Sequence, residues 1–300
     1  MRGAAFRNAC FAGAALAGLP LACVGAAQIY HARRLATQDP DKPQRIMSTN
    51  MCSDILLLML VPKERIVSIT RLAHAPVEAL LPGADRGVAI NHGTAEEVVR
   101  DRPDLILASP WSTATMRKLA AKVGAPVVEI DSANSFADIR RIVRQTGRLV
   151  GEPERAEVLI ADMDRKLARL EATKPTRPID VAVWNGSGSV PGEGTLTDEI
   201  IRSAGARNIA AKFPDTRYSS YSIEELLVAR PDALMRGVDR YDAPSLRDSA
   251  GEHPLIRSAY RNRRVTYPDS LYTCGLPQSA DAAIELREVL MKTAPGKVPW

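Results

Sequence analysis

Histidine, cysteine and aromatic side chains are scarce in this chain: of 300 residues, four are histidine, four are cysteine and 5% are aromatic. A site for bare zinc or manganese needs three or four His and carboxylate ligands converging on one point. His31 lies ahead of the fold and His253 sits in a helix with a surface pattern, which leaves only His74 and His92. No CxxC pair, HExxH helix, GxSxG elbow or phosphate-loop Gly-Lys-Ser/Thr occurs, and the glycine-rich WNGSGSVPGEG lacks the GxGxxG spacing. Blocks of five or six like charges are also missing. The net charge of +5, from 40 basic and 35 acidic residues, is spread along the chain as solvated surface rather than gathered into a nucleic-acid arm. These absences argue against a bare-metal carrier, a nucleotide enzyme and a nucleic-acid binder. Cys52 with His92 is a conceivable nucleophile and base, but nothing specific supplies the orienting third group.

What is present begins with a basic start, Arg2 and Arg7, then ACFAGAALAGLPLACVGAA, then QIYHARR. That order describes a secretory signal peptide over residues 1–27, with a retained membrane anchor as the alternative, since the apolar run approaches the ~20 residues that span a bilayer. Pro20 stands where a lipoprotein signal usually carries an aliphatic residue, which argues against lipidation of Cys23. Residues 28–44, ending in ATQDPDKPQ, read as a linker.

The fold then opens with RIMS as a strand, DILLLML as a buried helix and RIVSIT as a second strand. DLILAS and PVVEI are further strands, separated by the helix TMRKLAAKVG. Strands alternating with helices over short loops specify βα units and parallel sheets. Between residues 135 and 173 the strands cease, and about 40 residues run with helical spacing, broken once at Gly151, Glu152 and Pro153. Alternation then resumes with IDVAVW, LTDEIIRSAG, RRVTYP and the closing helix QSADAAIELREVLMK. The domain division expected is a first α/β lobe over 45–134, a bridging helical segment over 135–173 and a second α/β lobe over 174–300.

One sentence is written twice. TAEEVVRDRPDLILAS starts at Thr94, and SIEELLVARPDALMRG starts 128 positions later at Ser222. In the first copy Thr94 and Glu97 form a capping box, Val98 and Val99 give the apolar face, and Pro103 stops the helix. Glu, Glu, Arg, Pro and Asp recur at matching offsets, which argues for two similar lobes.

In the order and spacing of RIVSIT, TAEEVVRDRPDLILAS, GAPVVEID, VGEPERAEVLIADMD, TLTDEIIRSAGARNIA, SIEELLVARPD and CGLPQS, the chain resembles the periplasmic solute-binding proteins of ABC importers. The resemblance covers Arg45 to about Lys292 and points to the class for cobalamin, ferric siderophores and haem, nearest to the cobalamin branch. It implies two Rossmann-like α/β lobes with parallel sheets joined by a long bridging helix, little lobe movement on binding, no catalysis and no cofactor beyond the carried chelate. It further implies a periplasmic monomer that delivers its ligand to a permease dimer in the inner membrane, docking through one surface glutamate per lobe at Glu96 and Glu224. Cobalamin is the favoured ligand, with ferric siderophore or haem as alternatives. A membrane-docking adaptor or a Cys-dependent enzyme on the same scaffold is the reading of a different class.

In parallel α/β lobes, ligands lie beyond the carboxyl ends of the strands. The candidate ligand-binding residues in the first lobe are therefore Asn50, Met51, Cys52, Arg71, His74, Asn91, His92 and Trp111. In the second lobe they are Trp184, Asn185, Arg217, Tyr218, Tyr221, Arg240, Tyr241, Tyr272 and Cys274. Aromatic residues gathered at such loops suit a large flat ligand, and arginines there suit its carboxylates. For Cys52 and Cys274 three readings stand side by side: a disulfide across the cleft, contacts to ligand or metal, or small buried residues.

Overall fold

A computed structural model describes residues 42–109, 114–184, 190–212, 218–219, 222–238 and 253–292. The expected signal peptide and most of the linker lie outside them. Strand β1 (Ile46–Ser48) is buried at all three positions, as befits a strand covered on both faces. Helix α1 (Met51–Leu60) begins where Asn50 Oδ1 accepts the N–H groups of Cys52 (3.0 Å) and Ser53 (3.2 Å), two donors a helix start otherwise leaves unmet.

The chain continues through β2 (Ile66–Thr70), α2 (His74–Leu80), β3 (Ala89–Asn91), α3 (Ala95–Asp101), β4 (Leu105–Ala108), α4 (Ala114–Lys122) and β5 (Val127–Glu129). The strands pair in parallel in the order β3-β2-β1-β4-β5. The winding direction therefore reverses between β1 and β4, and a crevice opens at their carboxyl ends. Strand β3 carries no sequence signal, because it is three residues long and sits at the sheet edge with two side chains exposed.

Two helices bridge to the second sheet. Ser135 caps α5 (Phe136–Leu149), and Pro153 opens α6 (Pro153–Ala172), whose 20 residues span about 30 Å. Gly151, at φ 71°, turns the chain between them, within the expected break. Gly147 allows the two helices to approach closely, since any Cβ there would overlap Ala156. Arg65 locks the break onto the first lobe, donating to the Val150 carbonyl (2.5 Å) and to Glu152 Oε1 (2.6 Å).

The second half contains β6 (Asp180–Val183), β7 (Val190–Pro191), α7 (Leu196–Ser203), β8 (Arg207–Asn208), β9 (Tyr218–Ser219), α8 (Ile223–Ala229) and β10 (Ala233–Val238). After these come α9 (Pro254–Ala259), β11 (Arg264–Pro268), α10 (Asp269–Thr273) and α11 (Ser279–Lys292). Its main sheet is parallel, in the order β11-β10-β6-β8, while β7 and β9 form a separate antiparallel pair. One core cluster runs from Ile46 and Leu107 through Ile139 and Met163 to Val183 and Leu286, so the bridging helices are packed into both halves. The architecture is α/β, two parallel sheets flanked by helices. Among the described residues, no helix is long and apolar enough to cross a membrane.

Candidate functional site

Cys52, in the first turn of α1, and Cys274, immediately after α10, form a disulfide with Cα atoms 5.1 Å apart. The bond ties the first half of the chain to the second. Around it lies a pocket of about 80 Å³ lined by Asn50, Ser53, Ser109, Asp131, Ser132 and Thr273, among others. Asn50 and Ser53 follow β1, Ser109 follows β4, and Asp131 and Ser132 follow β5. These are the carboxyl ends that flank the reversal in strand order. Thr273 and Gly275 close the pocket from the second half. Gly275 packs so tightly against Ala133 that a Cβ at 275 would overlap it, so the two halves meet backbone to side chain in the pocket wall.

The pocket is rich in hydroxyl groups, and its carboxylate is balanced: Arg141 Nη1 lies 3.1 Å from Asp131 Oδ2. Next to Ser53 in α1, Asp54 is fully buried, accepting from the Thr70 N–H (3.1 Å) and the Thr70 hydroxyl (2.5 Å). Burial pushes its carboxyl up to about 7 against the opposing pull of hydrogen bonds from Ser48 and Thr70. Its Oδ1 finds no hydrogen-bond partner among the described residues.

The other expected site residues fall into several settings. Met51 packs partly buried on the core beside Cys52. Arg71 is exposed in the turn after β2. His74 Nδ1 sits 2.6 Å from Asp85 Oδ2, and that hydrogen bond raises the imidazole's pKa. His92 is held through its N–H and its Nδ1 (3.1 Å) by Glu97, whose role is to cap α3. Asn91 is buried and donates to the Ser48 carbonyl (2.9 Å) and Ser68 Oγ (3.0 Å), stitching β3 to the sheet. Neither His74 nor His92 lines the pocket. Among the described residues no group of three or more His, Cys, Asp and Glu could hold a metal ion.

Two aromatic residues expected on cleft loops are placed in the interior instead. Trp184 still belongs to the sheet, since its N–H donates to the Met235 carbonyl (2.8 Å), and its side chain is buried with Ile256 and Tyr260. Tyr272 lies on the short α10, buried with its ring 4.2 Å from that of Tyr267, and burial raises its phenol well above the usual range. Tyr218 is 57% exposed on β9. Trp111, Asn185, Arg217, Tyr221, Arg240 and Tyr241 lie outside the described residues. His253 stands at the start of a helix, as the N-cap of α9, its Nδ1 accepting from the Leu255 N–H (3.3 Å). Sequence reasoning missed Ser109, Asp131 and Ser132, although the carboxyl-end rule applied to LILA and PVVEI leads to them.

A family model described as periplasmic binding protein matches residues 46–269, from β1 to the start of α10. The chain belongs to the periplasmic binding protein family. A cobalamin-binding protein of Halobacterium salinarum is 27% identical over 213 residues, covering 67% of this chain and 56% of that protein. The match thus spans little more than half the length of that relative. Among solved structures, the periplasmic heme binding protein HutB of Vibrio cholerae superposes with a TM-score of 0.68 at 22% identity, over 82% of this chain and 98% of HutB. The periplasmic vitamin B12 binding protein BtuF of Vibrio cholerae gives 0.61 at 18% identity, over 84% of this chain and 98% of BtuF. This periplasmic binding protein therefore shares its fold with proteins named for different chelates.

Proposed function

We propose that this protein is the ligand-capturing component of an ABC importer, taking a metal chelate into the crevice between its two sheets, with cobalamin favoured. It works in the periplasm as a monomer and catalyses nothing. The observation that carries this reading is the pocket itself, built from the carboxyl ends of β1, β4 and β5 and closed by Thr273 and Gly275 from the other half. Similarity to a protein named as cobalamin-binding supports the choice of ligand. The hydroxyl and amide groups of Asn50, Ser53, Ser109, Ser132 and Thr273 offer hydrogen bonds that suit an amide-bearing ligand. At about 80 Å³ the pocket holds only one edge of such a ligand.

Delivery is assigned to Glu96 and Glu224, both exposed in the first turns of α3 and α8, one per half. A partner with two-fold symmetry would present one basic group to each. Isothermal titration of the purified protein with cyanocobalamin, haemin and a ferric hydroxamate tests the ligand. One-to-one binding of cyanocobalamin at micromolar or lower Kd, at least tenfold tighter than the other two, is expected. Saturable binding of haemin or the hydroxamate alone would replace cobalamin by that chelate, and no binding by any of the three would contradict a chelate carrier.

A further inference from the structure

Most of the duplicated stretch builds the fold in the same way twice. Thr94 and Ser222 cap their helices through the N–H groups of Glu97 (3.3 Å) and Glu225 (3.1 Å). Those glutamates return bonds to the N–H groups of Thr94 (2.9 Å) and Ser222 (2.7 Å). Val98 and Leu226 are fully buried. Pro103 and Pro231 end the helices and are buried. Asp104 Oδ1 accepts from the Arg45 N–H (2.9 Å), and Asp232 Oδ2 accepts from the Asp180 N–H (2.9 Å), so each aspartate pins the start of the first strand in its own half.

Two exposed charged pairs recur beside these: Glu96 with Glu224, and Arg102 with Arg230. The arginines stand out by backbone. Among the described residues they are the non-glycine positions with positive φ, at 43° and 48°, and each closes its helix in the left-handed conformation. Glycine serves that position at lower cost, by about 1 kcal/mol. A cationic side chain complements a helix carboxyl end, but it can do so from the last turn without adopting positive φ. The fold thus holds an exposed guanidinium in a strained conformation at the same place in each half.

Resting on the docking role assigned above to Glu96 and Glu224, we propose that Arg102 and Arg230 form a second pair of docking contacts, meeting acidic groups on the same two-fold permease. The arginine follows the glutamate by six positions in each half, about 9 Å along the helix axis. Each half therefore presents an acidic point and a basic point in fixed order. A partner that fits both halves carries the opposite order, basic then acidic, twice. An anionic lipid surface fits poorly, since it would attract the arginines and repel the glutamates beside them.

The test uses the full protein and the importer's permease reconstituted in zwitterionic nanodiscs. Arg102→Gly with Arg230→Gly should leave chelate binding unchanged and weaken permease binding at least tenfold with a shallower salt dependence. Arg102→Glu with Arg230→Glu should weaken it further. Undiminished permease binding by both arginine variants, while Glu96→Ala with Glu224→Ala abolishes it, would overturn this inference and leave the docking glutamates standing. If the glutamate variant also binds normally, the docking assignment itself falls. Equal loss of binding to permease-free nanodiscs of anionic lipid would make the arginines headgroup contacts instead and overturn the proposal.

Discussion

Cys52 and Cys274 are bonded across 222 positions of sequence, and Cys52 lines the pocket where the two halves of the fold meet. Closing so long a loop restricts the unfolded chain strongly, and disulfides of this kind contribute about 2–4 kcal/mol, towards the upper end for long loops. Cys52→Ser with Cys274→Ser should lower stability by that amount in denaturant titrations under oxidising conditions. With dithiothreitol present, wild type and variant should become alike. A variant as stable as the oxidised wild type would show that the bond does not constrain the unfolded state.

The same bond sits beside the packed contact of Gly275 with Ala133 and supplements the bridging helices α5 and α6. Ligand binding should therefore rotate the halves very little. Solution scattering with and without bound chelate should give radii of gyration agreeing to within about 0.5 Å, well below the several-ångström excursions of hinge-closing domains. A larger contraction would contradict a pinned junction.

Asp54 gives a pH dependence with a defined sign. Its folded-state pKa is raised from the ordinary carboxylate range to about 7. The folded form holds the proton more tightly than the unfolded form, so Asp54's contribution is fully present below about pH 4 and is lost as pH rises to 7. Asp54→Asn mimics the protonated state. It should melt near the wild-type temperature at pH 4 and above it at pH 8. Parallel pH profiles for the two proteins would contradict a protonated, buried Asp54.

Glu97 runs the other way. Burial opposes its charge, but the N–H groups of Thr94 and His92 outweigh burial and hold the carboxyl down at about 2. Its contribution is present above about pH 4.5 and disappears as pH falls towards 2. Glu97→Gln should cost about 1 kcal/mol at pH 7, a typical value for capping interactions, and the deficit should narrow steadily below pH 4.5. A deficit that is constant with pH would mean that the charge of Glu97 does not matter to the cap.

Much of the fold can be read from the sequence because its signals are local. The repeated capping box is formed in both copies, and Gly151 turns the chain where the helical pattern breaks. The sequence is less informative where tertiary contact decides. Strand β3 is three residues at a sheet edge, and β7, β8 and β9 are two residues each, too short for any periodicity. Trp184 ends the strand signal IDVAVW, where a side chain can face either the cleft or the core; its N–H bonds the Met235 carbonyl and its side chain is buried. Tyr272 follows a strand as a ligand-contacting residue would, but the short helix α10 rotates it against Tyr267. Of the site, the strand-end rule gives Asn50 and Cys52 directly. The pairing of Cys52 with Cys274 depends on how two halves separated by 222 positions pack together, which no local pattern records.

Capture of ligand in the pocket between the two halves is tested most directly by titrating the preferred chelate into wild type and into Ser53→Trp and Ser132→Trp, whose indoles would fill a space of about 80 Å³ from the carboxyl ends of β1 and β5. Binding should weaken at least tenfold in both variants, with both still folded as judged by circular dichroism. Wild-type affinity in both folded variants would place the ligand elsewhere and contradict capture in this pocket.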